Sequence, residues 1–369
     1  MERNLWRNLP LVFLIVVFTF VEGEAGARYL QVDPDPIITL DSCTGYKPKA
    51  AIHGYSAGPL GLIPIETNSL GFRDVEHANE KPDGVYRVLF LGDSFTEALQ
   101  VPEDKTFTRR LQKMADDKHE PLEIITMAVS SFGTGQELLA YECYGKAFHP
   151  DLVVLDFNSY DLLDNSFRID QFTPGFSIID GKLTEDETFR RNIQNRLAAR
   201  ATLFPGSLYF MKDHSMLLRY LVFKIQNAQA GKALSDAAGV SSPALPLFAK
   251  EYPPAWEEAW NLTEKIIAKL NLEVHTDKAS LLLLNLPPQE QLDAPSAVKD
   301  SSVDFSKPSQ RLGQIGKLLH VPVLDLYKPL SSAGKNGPVH FNNDPHLTAL
   351  GHEVVAEALF KELQSVYVH

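Results

Sequence analysis

The stretch VLFLGDSFTEALQ, Val88 to Gln100, sets an apolar run directly against Gly92-Asp93-Ser94, and a helix-compatible segment follows at once. A small hydroxyl where a buried strand ends and a helix begins stands beside backbone N–H groups that can bind an oxyanion. That makes Ser94 a candidate nucleophile for acyl transfer. The structural reading of the same residues is a tight turn at Gly92 with Asp93 or Ser94 as a helix cap. A serine nucleophile needs a base within hydrogen-bond reach and a third group that orients the base. Of the 11 histidines, His119 stands in a charged run and His214 in a region without strand–helix rhythm. In FNNDPHLTALGHEVV, Asp344 and His346 come just before the last amphipathic segment. Both would face the same sheet edge as Ser94, with Asp344 accepting from one imidazole nitrogen while the other faces the serine. Helix capping by Asp344 or Thr348 is the structural alternative. His352 lies inside the helix and is the weaker candidate base.

These residues need a scaffold, and the hydrophobic pattern supplies one. Val85 to Leu91, Leu122 to Met127, Leu152 to Phe157, the run ASLLLLNLP from Ala279, and Val321 to Leu326 read as five buried strands. Helical stripes stand between them, at Phe107-Leu111-Met114, Glu137 to Tyr144, Trp256 to Leu270, Ser309 to Leu319 and Thr348 to Gln364. Such alternation predicts the α/β class: a parallel sheet with right-handed crossovers and helices on both faces, a three-layer α/β/α sandwich. Ligands in such sheets bind beyond the carboxyl ends of the strands, which is where Ser94 falls. Residues 31–83, rich in Pro, Gly and polar side chains, read as a segment wrapping onto a domain spanning 84–369. Residues from about 166 to 255 read as a mostly helical insertion over the active end.

A formal net charge of −12 with no basic run argues against a nucleic-acid partner. Two cysteines, Cys43 and Cys143, are too few for a disulfide scaffold and lack metal-ligand spacing. One bridge between them requires an exported protein. At the N-terminus, Arg3 and Arg7 precede LPLVFLIVVFTFV, Leu9 to Val21, and Glu22 and Glu24 follow. That run is shorter than the ~20 residues of a full span and closer to a signal-peptide core, with Ala25-Gly26-Ala27 as a cleavage site. The helical pattern continues to Leu30, which keeps a tilted anchor open. Either way, residues 1–30 carry the remainder out of the cytoplasm, to the periplasm in a bacterium.

Taken together, the chain resembles the SGNH, or GDSL-type, hydrolase family, and within it the membrane-attached bacterial branch. Gly92-Asp93-Ser94 looks like the family's first block, and Asp344-Pro345-His346 like its last. NSLGFRD (Asn68 to Asp74), HSMLLRY, PPAWEEAW and VPVLDLY resemble that branch's landmarks. The resemblance implies a flavodoxin-like, five-stranded parallel fold and a triad of Ser94, His346 and Asp344. It also implies a serine-dependent acyl-ester hydrolase (esterase or deacetylase) of the cell envelope, acting on a small-molecule or carbohydrate acyl ester without metal or organic cofactor. Two middle blocks depart from the pattern. Ser131, in MAVSSFGTGQ, stands where the family has a glycine whose N–H enters the oxyanion hole beside that of Ser94. Tyr160, in DFNSYDLLDN, replaces the asparagine whose amide is a further donor, which leaves Asn158 or the Tyr160 hydroxyl to stand in. Two alternatives follow: an O-acyltransferase with the same triad, or a weakened binding or scaffold protein of envelope polysaccharide assembly. A metal site from Asp93, Asp156, Asp161 and Asp164 is a further reading; loop caps and solvated charge explain those carboxylates more simply.

Overall fold

Residues 5–29, 38–167, 172–200, 211, 214–218, 220–221, 245–293, 302–342 and 344–367 are described by the computed structural model. They fall into two units, Met1–Pro36 with Gln194–Ala233 and Ile37–Ile193 with Leu234–His369. In the first, helix α1 (Leu5–Tyr29) includes a 20-residue stretch, Pro10–Tyr29, of mean hydropathy 1.7. Its length and composition suffice to cross a membrane. Near its end, the Glu24 carboxylate accepts from Ser215 Oγ at 2.8 Å and from the N–H groups of Met216 and Leu217 at 3.0 Å. Arg28 donates to the His214 carbonyl at 2.8 Å.

The second unit opens with two antiparallel hairpins, β1 (Ile38–Asp41) with β2 (Gly45–Pro48) and β3 (His53–Gly58) with β4 (Gly61–Glu66). The wrapping segment therefore has more structure than its composition suggested, because short polar strands carry little period-2 signal. The central strands follow as β5 (Tyr86–Gly92), β6 (Leu122–Ala128) and β7 (Leu152–Asn158). After the hairpin β8 (Gly175–Ile179) and β9 (Lys182–Asp186) come β10 (Ser280–Leu286) and β11 (Val323–Asp325). The five strands β6-β5-β7-β10-β11 lie side by side in that order, all parallel. The first crossover thus runs to one side of β5 and the later ones to the other, which creates a topological switch at the end of β5. Ser94 stands two residues past that end, after Asp93.

Both sheet faces are covered, so the strands are apolar at nearly every position. Leu89, Leu91, Met127, Leu155 and Leu283 pack toward Leu138 of α4 (Thr134–Cys143) and toward Trp256, Trp260 and Ile267 of the helix Pro254–Thr276. Val88, Phe90, Ile124, Val154 and Leu282 pack against Phe107 and Leu111 of α3 (Phe107–Asp117) and Val355 and Leu359 of the last helix, Ala349–Tyr367. Neighbouring residues on one strand serve opposite cores, as the pleat dictates.

Between residues 166 and 255 the described residues include the β8–β9 hairpin and a helix, Thr188–Arg200. Residues 201–210 and 222–244, including Val222 and Phe223, lie outside the described residues. Cys43 and Cys143 are joined by a disulfide, their Cα atoms 6.5 Å apart. It fastens the first hairpin's turn to the end of α4.

Candidate active site

Strand β5 is buried from Arg87 to Gly92 and ends against a single helical turn, α2 (Ser94–Glu97). Only glycine fits at the junction. A Cβ on Gly92 would stand 2.6 Å from Thr96 Oγ1 and 3.0 Å from Asp156 Cβ. Asp93 caps the turn, its carboxylate accepting from the Phe95 N–H at 2.8 Å. This capping role was visible in the sequence, and it leaves the neighbouring Ser94 side chain free of the task.

Opposite, a small antiparallel ribbon, β12 (His340–Phe341) with β13 (Asp344–Leu347), runs into the last helix. Asp344 and His346 are two apart on β13, so an extended backbone sends both side chains to one side. His346 Nε2 lies 2.7 Å from Ser94 Oγ, and its Nδ1 lies 2.5 Å from Asp344 Oδ1. The same carboxylate oxygen accepts from the His346 backbone N–H at 2.9 Å, which holds the strand residue and its ring together. With Nδ1–H donated to Asp344, Nε2 presents its lone pair to the serine hydroxyl. The Phe95 ring, 5.0 Å from the imidazole between centroids, packs against it. The His346 and Asp344 side chains keep 17% and 25% of their exposure, so the arrangement is open to a substrate. Thr348, not Asp344, caps the last helix, its hydroxyl accepting from the Gly351 N–H at 3.3 Å. His352 is buried, stacks on Phe107 at 5.8 Å, and burial lowers its pKa to about 3; it takes no part.

The residues expected on the oxyanion side have other partners. Tyr160 donates its hydroxyl to Glu290 at 2.7 Å, and its pKa is raised by burial and by that carboxylate. Its one proton is thereby committed. Asn158 is fully buried; its amide donates to the Leu286 carbonyl at 3.2 Å and accepts from the Tyr160 N–H at 3.0 Å. It ties the ends of β7 and β10 together. Ser131 adopts a φ of +61°, the left-handed conformation that a glycine would take at less cost. It stands in a tight turn in which the Phe132 N–H donates to the Val129 carbonyl at 3.0 Å. Glu97 reaches from the end of α2 to this turn and accepts from the Ser130 N–H at 2.7 Å and from the Ser130 hydroxyl.

Beneath the site lie buried carboxyls; Asp156 and Asp161 were expected as loop caps or solvated charge and are not solvated, whereas Asp93 is the expected cap. Asp156, Asp161 and Glu137 are wholly buried, and Asp93 nearly so. Burial, reinforced by their mutual repulsion, raises the pKa of each. Asp156 accepts from Thr96 Oγ1 at 2.5 Å and Asp161 from Thr134 Oγ1 at 3.2 Å, whereas among the described residues both oxygens of Glu137 lack a hydrogen-bond partner. Among the described residues, no three His, Cys, Asp or Glu side chains converge in a geometry that could hold a metal ion.

Two contacts had no signal in local pattern: Arg73 on the back of α2 and Tyr46 on the Ser130–Ser131 turn. Arg73 belongs to the NSLGFRD phrase, but only the fold reveals what it touches.

No family model matches the sequence, and no curated protein matches it. Among solved structures, the chain is similar to an acetyl xylan esterase at 13% identity and a TM-score of 0.42, over 75% of this chain and 99% of that one. It is likewise similar to a lipase/acylhydrolase from Enterococcus faecalis, at 11% identity and a TM-score of 0.41, over 76% of this chain and 97% of that one. A GDSL-like lipase from Bacteroides thetaiotaomicron is also among its structural neighbours, at 13% identity and a TM-score of 0.37, over 76% of this chain and 88% of that one.

Proposed function

We propose that the chain is an SGNH-type serine hydrolase of acyl esters, with Ser94 as nucleophile, His346 as general base and acid, and Asp344 as the residue that orients the imidazole. The observation that carries this reading is the unbroken series of hydrogen bonds from Asp344 through His346 to Ser94 at the carboxyl end of β5. Ser94 Oγ attacks the ester carbonyl as His346 Nε2 takes its proton, and the C–O π electrons move onto the carbonyl oxygen. The backbone N–H groups of Ser94 and Ser131 hold that oxyanion. When the tetrahedral intermediate collapses, the bond to the leaving alcohol breaks, and Nε2–H supplies the alcohol's proton. Water then repeats the sequence on the acyl-serine, releasing the acid and restoring Ser94.

An extracytoplasmic setting is part of the proposal. The Cys43–Cys143 disulfide suits an oxidising compartment, and the apolar α1 suits an export signal or membrane anchor. In that setting an acylated carbohydrate of the envelope is the natural ester to test.

The decisive experiment treats the full chain with a fluorophosphonate and maps the adduct by mass spectrometry, alongside turnover of p-nitrophenyl acetate and acetylated oligosaccharides. The adduct is expected on Ser94, and Ser94→Ala should remove both adduct and turnover, a loss on the order of 10⁶ in kcat for a fully used triad. An unlabelled Ser94, or turnover that survives its replacement, refutes the assignment. Transfer of the acyl group to added oligosaccharide in preference to water would redirect the same triad to acyltransferase chemistry.

A further inference from the structure

Residues 38–80 contribute no strand to the central sheet, yet their side chains reach both backbone turns that surround Ser94. We propose that this segment braces the oxyanion hole, with Arg73 and Tyr46 as its positioning residues; the proposal rests on Ser94 being the nucleophile.

Helix α2 is one turn long and has few internal bonds: Glu97 N–H to Asp93 and Ala98 N–H to Ser94, each at 2.9 Å. Its direction therefore depends on what holds its far end. Arg73, only 5% exposed, donates through Nη1 to the carbonyls of Glu97 at 3.0 Å and Ala98 at 2.5 Å. Through Nη2 it donates to the Val101 carbonyl at 2.9 Å. A planar guanidinium can span three carbonyls in this way, whereas an ammonium group is a point charge without the fork. The aim of Arg73 is itself fixed. Gly71, at a φ of +95°, makes a turn in which a Cβ would run into the Pro48 carbonyl. Asp74 accepts from the Thr126 N–H on β6 at 2.6 Å and pairs with His77 at 3.1 Å and with Arg109.

Tyr46 holds the other turn. Its hydroxyl lies 2.8 Å from the Ser131 carbonyl and 3.2 Å from the Ser130 carbonyl. In a trans peptide the C=O and the next N–H point in opposite directions. The contact at the Ser130 carbonyl, the longer of the two arms that share the hydroxyl's one proton, therefore helps to orient the Ser131 N–H. Glu97 links the two braced turns through Ser130. The segment thus sets the direction of both N–H groups assigned to the oxyanion. That matters more here than in a site with side-chain donors, since misplacement by about 1 Å can cost on the order of 10² in rate.

The test uses the full chain in detergent and compares wild type, Arg73→Ala, Arg73→Lys and Tyr46→Phe. Active serines are titrated with a fluorophosphonate, and kcat and KM for p-nitrophenyl acetate are expressed per titrated site. For Arg73→Ala, kcat should fall about 10²-fold with KM nearly unchanged, and Arg73→Lys should recover part of the loss. Tyr46→Phe, a milder change that keeps the ring against Phe132, should lower kcat about tenfold without a change in the shape of the pH profile. If kcat per titrated serine matches wild type in both the Tyr46 and Arg73 variants, the segment merely holds the fold and the proposal fails. Should Arg73→Ala not fold, Tyr46→Phe decides alone. A wild-type protein whose Ser94 takes no label overturns the hydrolase reading and the brace together.

Discussion

On one side of the site, Asp344, His346 and Ser94 form a closed series of hydrogen bonds with the ring packed against Phe95. On the other side, the side chains at 158 and 160 turn their donors to Leu286 and Glu290. One half is assembled for proton transfer, while the other has lent its amide and phenol to holding strand ends and a neighbouring helix. The contrast teaches where the oxyanion's support must come from. On the proposed reading, proton transfer relies on side chains, and charge stabilisation falls to backbone N–H groups whose aim is set from outside the turn that carries them. A hydrolase of this kind is expected to be slower than one with a third, side-chain donor, since each donor is worth on the order of 10²–10³ in rate.

The sharpest way to break the comparison is to damage the complete half. Asp344→Asn should lower kcat by about 10⁴, because the amide favours the wrong imidazole tautomer. Retention of turnover in steady-state assays would show that His346 is oriented by its packing alone. Next in size is the effect of the buried acids on stability. Glu137 is pushed well above the ordinary carboxylate range by burial and then by Asp93, Asp156 and Asp164. Its folded-state pKa exceeds the unfolded value, so the folded state binds more protons from about pH 4.3 up to that pKa. Stability should therefore fall as pH rises through this window, and Tm should be lower at pH 8 than at pH 5.5. Glu137→Gln should flatten that slope and raise stability at pH 8 relative to pH 5.5, measured by thermal melts at both pH values.

The incomplete half is probed by smaller changes. Tyr160→Phe should alter kcat by less than about threefold, since the hydroxyl it removes serves Glu290 and not the substrate. A loss on the order of 10² would mean that the hydroxyl swings to the oxyanion during turnover. The least effect is expected from Ser131→Gly. Relief of the left-handed conformation should stabilise the fold by about 0.5–1 kcal/mol, read from denaturant melts, with kcat unchanged or slightly higher.

The parts legible in sequence share a physical reason: each is local. Strands buried on both faces, such as LVVLDFN and SLLLLNL, announce themselves by four consecutive apolar residues each, and the sheet follows from their alternation with helices. Asp344 and His346, two apart on an extended strand, must share a side. Ser94 follows a glycine that the junction requires. What stayed hidden depends on approach across the chain. Arg73 meets carbonyls 24 to 28 residues away, and Tyr46 meets carbonyls 84 and 85 residues away, with no period to betray either. The burial of Glu137 had no local signal either, since α4 is covered from Thr134 to Tyr141 and only its packing shows it. The diversion of Asn158 and Tyr160 depends on Leu286 and Glu290, which only the pairing of β7 with β10 brings near.

The disulfide has a consequence for the order in which the molecule is made. It closes a loop of 100 residues that contains β5, Ser94 and the turn at Ser131. His346 lies 252 residues beyond Ser94, and Cys143 precedes it by most of that distance. If the chain enters an oxidising compartment N-terminus first, the nucleophile's half is covalently sealed while its base is still undelivered. A hydrolase of the proposed kind would stay silent throughout translocation, and its activity would arrive only with the last ribbon and helix.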